Sequence, residues 1–117
     1  QAWSSAASDV YKRQILSTIY VDLENNISQT KVLKTLISFY KNESFVKILK
    51  PDSLLSTNDV INTNNCYISV CKSKYSNKII ILSAIDNLIK GGAGQAVQNL
   101  NNKFNFPEKT GLKWENL

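Results

Sequence analysis

The chain contains no histidine. That absence excludes a Ser-His-Asp or Cys-His nucleophile pair, histidine-ligated zinc and any histidine acid–base step within these 117 residues. Glycine is scarce, with four residues, and proline scarcer, with two. No glycine-rich phosphate loop follows the first strand-like segment, so a complete nucleotide-binding domain is not expected. Long apolar runs are missing as well. The longest aliphatic one is Ile79-Ile80-Ile81-Leu82, far short of the roughly 20 residues a membrane helix needs. Arg13 is the sole arginine among 14 basic residues, and the lysines are scattered singly from Lys12 to Lys113. A nucleic-acid binder concentrates its cations on one face and mixes in arginine, so the net charge of +5 reads as a lysine-rich solvated surface. Neither a nucleic acid nor a membrane is expected as a partner.

What is present fits one small domain or a piece of a larger one. Hydrophobic residues make up 43% and charged residues 20%, which excludes a disordered chain or a disulfide scaffold. Cys66 and Cys71 fall in one strand-like run. At about 3.3 Å per residue they lie about 16 Å apart and on opposite faces, too far to pair with each other. Reduced core thiols are expected, in a cytoplasmic protein. Asn26-Ile27-Ser28 and Asn42-Glu43-Ser44 match the glycosylation pattern, as chance allows in so Asn- and Ser-rich a chain without a recognisable signal peptide.

Residues 1–14 are polar and carry no sustained periodicity, so a non-native leader without a role in the fold is expected there. From Ile15 to Leu23 the alternation is that of a β-strand, and Glu24-Asn25-Asn26 turns the chain. Val32, Leu33, Leu36, Ile37 and Tyr40 then recur at helical spacing behind Ser28, a candidate N-cap. Residues 45–49 form a short strand stopped by Lys50-Pro51, and a long polar loop fills 50–65. Cys66–Cys71 and Lys78–Ile85 form a hairpin, the second strand being apolar enough for burial on both faces. A last helix runs from Asn87 or Lys90 to Phe104, because Pro107 forbids continuation. The class is α+β, with helices packed on a mainly antiparallel sheet.

The informative stretch is Asp86–Asn99, with Gly91, Gly92 and Gly94 near a helix start. Each glycine costs about 1 kcal/mol relative to alanine inside a helix, so a compensating close approach is expected. Ala93, Ala96, Val97 and Leu100 form an apolar stripe beside a line of Gly91, Gly94 and Gln98. A dinucleotide fingerprint is excluded: Gly92-Ala93-Gly94-Gln95-Ala96-Val97 lacks the third glycine and leaves no room for a following βαβ unit. A helix–helix contact remains the structural alternative. If Gly94 occupies an ordinary exposed turn, Gly94→Ala should stabilise the isolated chain by up to about 1 kcal/mol.

Ser83-Ala84-Ile85-Asp86-Asn87-Leu88-Ile89-Lys90-Gly91-Gly92-Ala93-Gly94-Gln95-Ala96-Val97-Gln98-Asn99 resembles the C-terminal part of N-acetyl-gamma-glutamyl-phosphate reductases. Ser56-Thr57-Asn58-Asp59-Val60, Thr63-Asn64-Asn65-Cys66, residues 39–46 and Thr110-Gly111-Leu112 support it, and the resemblance covers residues 15–112. Gly92 stands where the family usually has alanine. Asn62 replaces a turn glycine, which asparagine can mimic because it tolerates positive φ.

The resemblance implies a fragment of a glyceraldehyde-3-phosphate-dehydrogenase-like C-terminal domain from an NADP-dependent oxidoreductase of arginine biosynthesis. In that family an acyl phosphate acylates a cysteine, and hydride from NADPH reduces the thioester to the semialdehyde. The nucleophilic cysteine, its histidine base and the Rossmann domain lie upstream, so no catalytic residue and no metal site is expected here. Residues 15–85 would belong to the substrate and dimerisation domain of a homo-oligomer, and 86–117 would return to the NADP-binding domain. Asn87 is the candidate contact to the cofactor amide, with Gly91 and Gly94 giving close approach; a helix cap is the alternative role for Asn87. A sister semialdehyde dehydrogenase of the aspartate or aminoadipate type and a stand-alone interaction module are the competing readings.

Overall fold

The computed structural model describes residues 14–113. The expected leader, apart from Gln14, lies outside them. A four-stranded sheet forms the body, in the order β1 (Gln14–Asp22), β4 (Lys78–Asp86), β3 (Cys66–Lys72), β2 (Val46–Ile48). β1 and β4 pair antiparallel along their whole length, from Gln14 opposite Asp86 to Asp22 opposite Lys78. Their β-branched residues suit a pleated, half-buried surface, and an ion pair between Lys78 and Asp22 closes the far end. β3 pairs antiparallel with β4, as the hairpin pattern predicts. β2 joins β3 in parallel, a pairing that periodicity alone does not disclose.

Helix α1 (Gln29–Tyr40) links the two edge strands and packs on β2 and β3. Ser28 is its N-cap: the hydroxyl oxygen accepts from the Lys31 amide at 3.2 Å. Gln29, in the first turn, donates to the Val70 carbonyl and the Asp52 carboxylate. Asp52 also accepts from the Lys72 amide at 2.7 Å, and that bond above all holds its carboxyl below the usual aspartate range.

The polar segment after β2 is less open than its composition suggests. A short 3-10 turn, Thr57–Val60, is closed by a capping box in which Ser56 and Asp59 exchange hydrogen bonds with each other's ends of the turn. It brings Leu55 and Val60 onto Ala84, with Leu49, Tyr67 and Leu82 partly buried at the margin of this core cluster. Of β4, Ile79, Ala84 and Asp86 are buried and the rest is half-buried. The expected burial on both faces is therefore only partial, with Ile79 buried on one face and Ala84 and Asp86 on the other, and β1 beside the strand is thinly covered. Ile15, Leu16 and Ile19 are close to half exposed and Tyr20 is 74% exposed. Cys66 and Cys71 are unpaired and sit opposite Ile85 and Ile80, hence on opposite faces as the spacing predicts.

Candidate functional site

The end of β4 is organised by a carboxylate. Asp86 is 1% exposed. Its Oδ1 accepts from the Leu88 and Ile89 amides at 2.9 and 3.2 Å, and its Oδ2 from the Asn62 amide at 2.9 Å. Asp86, and not Asn87, thus holds the backbone donors that open the turn. Asn62 presents its amide from a left-handed conformation, φ 57°, the role expected of an asparagine in a glycine position.

The chain then makes a wide turn, Ile89–Ala93, before α2 (Gly94–Lys103) begins. The Ala93 amide reaches the Leu88 carbonyl and the Gly94 amide the Ile89 carbonyl, a five-residue spacing typical of single-turn π-bulges. The expected helix start at Asn87 or Lys90 is therefore later, at Gly94, and the glycines of the turn do not weaken an α-helix.

Asn87 and Gly91 are brought together on the exposed side of this turn. A Cβ on Gly91 would stand 2.9 Å from the Asn87 Oδ1 and 3.4 Å from the Ile85 Cδ1, so a side chain there would displace the carboxamide. Among the described residues the Asn87 carboxamide has no hydrogen-bond partner. Gly94 does not share that surface. It is buried, and a Cβ on it would lie 2.3 Å from the Asn64 Oδ1 and 2.7 Å from the Ile89 carbonyl oxygen. The close approach expected at Gly94 is made within this chain, so the condition on which Gly94→Ala is expected to stabilise it, an ordinary exposed turn, does not hold. The line of Gly91, Gly94 and Gln98 is broken by the turn.

Helix α2 turns its apolar stripe outward. Its buried positions are Gly94, Gln98 and Asn101, while Val97, Leu100 and Phe104 are 39%, 49% and 60% exposed. Gln98 Oε1 accepts from Asn64 Nδ2 at 2.9 Å and Lys90 Nζ at 2.7 Å, and its Nε2 donates to Glu108 Oε1 at 2.7 Å. Asn101 donates to the Glu108 and Thr110 carbonyls, folding residues 105–113 back along the helix. The Lys90 ammonium lies 5.4 Å from the centre of the Phe45 ring. Burial lowers its pKa, offset in part by Cys66, Glu108 and Glu43.

Sequence reasoning did not single out Asp86, Asn64, Lys90, Asn101 or Glu108. An Asp directly before a turn is the one readable signal among them, as a side-chain acceptor for the next amides. Chemically, the exposed side offers one free carboxamide beside bare glycine backbone: a surface able to hydrogen-bond a flat polar ligand. Among the described residues no cluster of Cys, Asp or Glu could hold a metal ion, and no helix is long and apolar enough to cross a membrane. A shallow open groove beside α1, lined by Ser28, Lys31, Lys34 and Phe39, lies elsewhere and carries no comparable motif.

Residues 8–87 match the family described as semialdehyde dehydrogenase, dimerisation domain. The chain belongs to that family. The match begins seven residues before Ile15, so part of the segment expected to be a non-native leader belongs to the family match, against that expectation. Among similar proteins, the N-acetyl-gamma-glutamyl-phosphate reductase of Halothermothrix orenii is 45% identical over 102 residues, covering 87% of this chain and 29% of that protein. The enzyme of the same name from Ehrlichia chaffeensis is 46% identical over 101 residues, 86% of this chain and 29% of the relative. That of Desulforamulus reducens is 45% identical over 105 residues, 90% and 30% respectively. The chain therefore spans less than a third of these relatives' length, and this semialdehyde dehydrogenase segment is similar to one region of a reductase.

Proposed function

We propose that the chain is the C-terminal segment of an NADP-dependent reductase that converts N-acetyl-glutamyl 5-phosphate to the 5-semialdehyde in arginine biosynthesis. The observation that carries this reading is the pairing of a free Asn87 carboxamide with Gly91 beside an α2 whose apolar stripe faces outward. Bound NADPH supplies the hydride. The nicotinamide carboxamide is flat and has both donors and an acceptor, which suits the Asn87 side chain and the uncovered backbone at Gly91. Gly94 contributes at one remove, by letting the turn settle against Asn64. Val97, Leu100 and Phe104 face the nucleotide domain of the complete enzyme, and the thinly covered β1 faces a second subunit. The nucleophilic cysteine and its base come from upstream, and the enzyme works in the cytoplasm.

The test is an NADP-linked dehydrogenase assay with N-acetylglutamate semialdehyde and phosphate. Residues 1–117 alone should give no turnover above a heat-killed control, whereas the complete protein should turn over. In the complete protein Asn87→Ala should raise the KM for NADPH by about tenfold, the worth of one or two lost hydrogen bonds. Turnover by the isolated segment would refute the proposal.

A further inference from the structure

We infer that Gln98 is a positioning residue, holding the Asn87–Gly91 surface in place from behind; this rests on the cofactor reading above. The wide turn has few side-chain ties. Asp86 secures its start, and Lys90, next to Gly91, secures its middle through Gln98. Gln98 is 8% exposed, and its carboxamide satisfies three partners at once: Asn64 from the loop before β3, Lys90 from the turn and Glu108 from the tail.

The chemistry of the partners requires an amide. Lys90 and Asn64 donate, so position 98 must accept; Glu108 accepts, so position 98 must also donate. A carboxylate would lose the donor and meet Glu108 with like charge. An apolar side chain would leave a half-buried ammonium and a buried amide without an acceptor. The helix itself has other anchors, in the contact of Gly94 with Asn64 and the bonds from Asn101 to the tail. Loss of Gln98 therefore frees the turn before it frees the helix.

The experiment uses the complete reductase that carries this segment, with Gln98→Met as the variant and Lys90→Met as a second that leaves the buried face of α2 intact. In the cofactor-free protein, amide exchange at Ala93 and Gly94 should quicken by about tenfold, while Phe106, whose amide bonds to the Asn101 carbonyl, should be unchanged. NADPH affinity, read by fluorescence without substrate, should fall by about tenfold in both variants, the scale of a hydrogen bond to a charged group. A purely structural role would speed Phe106 exchange equally and leave NADPH affinity of the folded protein unaltered. Unchanged exchange at Ala93 and Gly94 overturns the inference, as does unchanged NADPH affinity in a background where Asn87→Ala weakens it. If Asn87→Ala has no effect on binding, the cofactor reading fails separately, and exchange alone decides whether Gln98 holds the turn.

Discussion

The two helices solve the same problem in opposite ways. α1 turns Val32, Leu33 and Leu36 toward the sheet, where they are half-buried, and keeps Lys31 and Lys34 in water, while Ile37 and Phe39 stay 48% and 76% exposed. α2 shows the protein Gly94, Gln98 and Asn101 and leaves Val97, Leu100 and Phe104 outside. α1 is therefore held by partial burial of one apolar face and by the Gln29 bonds to Asp52 and Val70, and α2 by close backbone approach and a polar network. An apolar stripe turned outward is poor design for a free-standing domain, because patches of this kind mark interaction surfaces. Among the described residues nothing covers the outward stripe of α2, which is the surface the proposed reading gives to the nucleotide domain.

The comparison can be broken most sharply at the helix entrances. Asp86→Ala strips the acceptor from three backbone amides and should cost about 3 kcal/mol or more, against about 1 kcal/mol for Ser28→Ala at the exposed entrance of α1. Chemical denaturation of both variants checks this, and equal losses would contradict the contrast. Gly94→Ala comes next. Its methyl group must move Asn64 and the Ile89 carbonyl, an overpacking cost of about 1–3 kcal/mol. A rise in melting temperature would show that the helix can shift outward freely.

A smaller effect is expected from acid, at the anchor of α1. Because the folded state depresses the Asp52 pKa, its contribution is present above the unfolded value of about 3.9 and is lost as pH falls through the lower folded value. Asp52→Asn should remove that part of the acid dependence, measured by denaturant midpoints from pH 6 downwards. Smallest of all is Leu100→Ser. It should change the stability of the isolated segment by less than about 0.5 kcal/mol yet impair the complete protein, as seen in its unfolding midpoint. A large loss in the isolated segment would mean that the outer face of α2 is already covered within it.

The sequence pattern discloses the extent of α1 and its Ser28 cap, although Ile37 of the predicted stripe is 48% exposed. β1, β3 and β4 are legible for the same reason: alternation and β-branching point one way. The last helix is legible only in part. Its apolar stripe is real, but a stripe does not say whether it faces inward, and the glycine line that seems to mark a surface is cut by the wide turn. Gly91 and Gly94, three residues apart, end on different sides. The parallel pairing of β2 depends on a connection whose direction no local pattern encodes. The polar network escapes because Asn64, Gln98 and Glu108 are far apart in sequence and their residue types are common in loops. Asn62 is the counterexample: a residue in a glycine position predicts positive φ, and φ is 57°.

The tail that runs back along α2 also bears on the order in which this segment folds. Near its end, the Lys113 carbonyl accepts from the Asn64 amide, and Leu112 is buried. During synthesis the sheet can pair as soon as β4 leaves the ribosome, because β3 and β4 are joined by a short turn and such local closure is fast. The Asn64 amide must then wait, unpaired, for nearly the last residue described here. The bond from Asn64 to Lys113 can thus form only after the strands, so a nascent chain can pair its sheet before the tail closes over the loop that precedes β3.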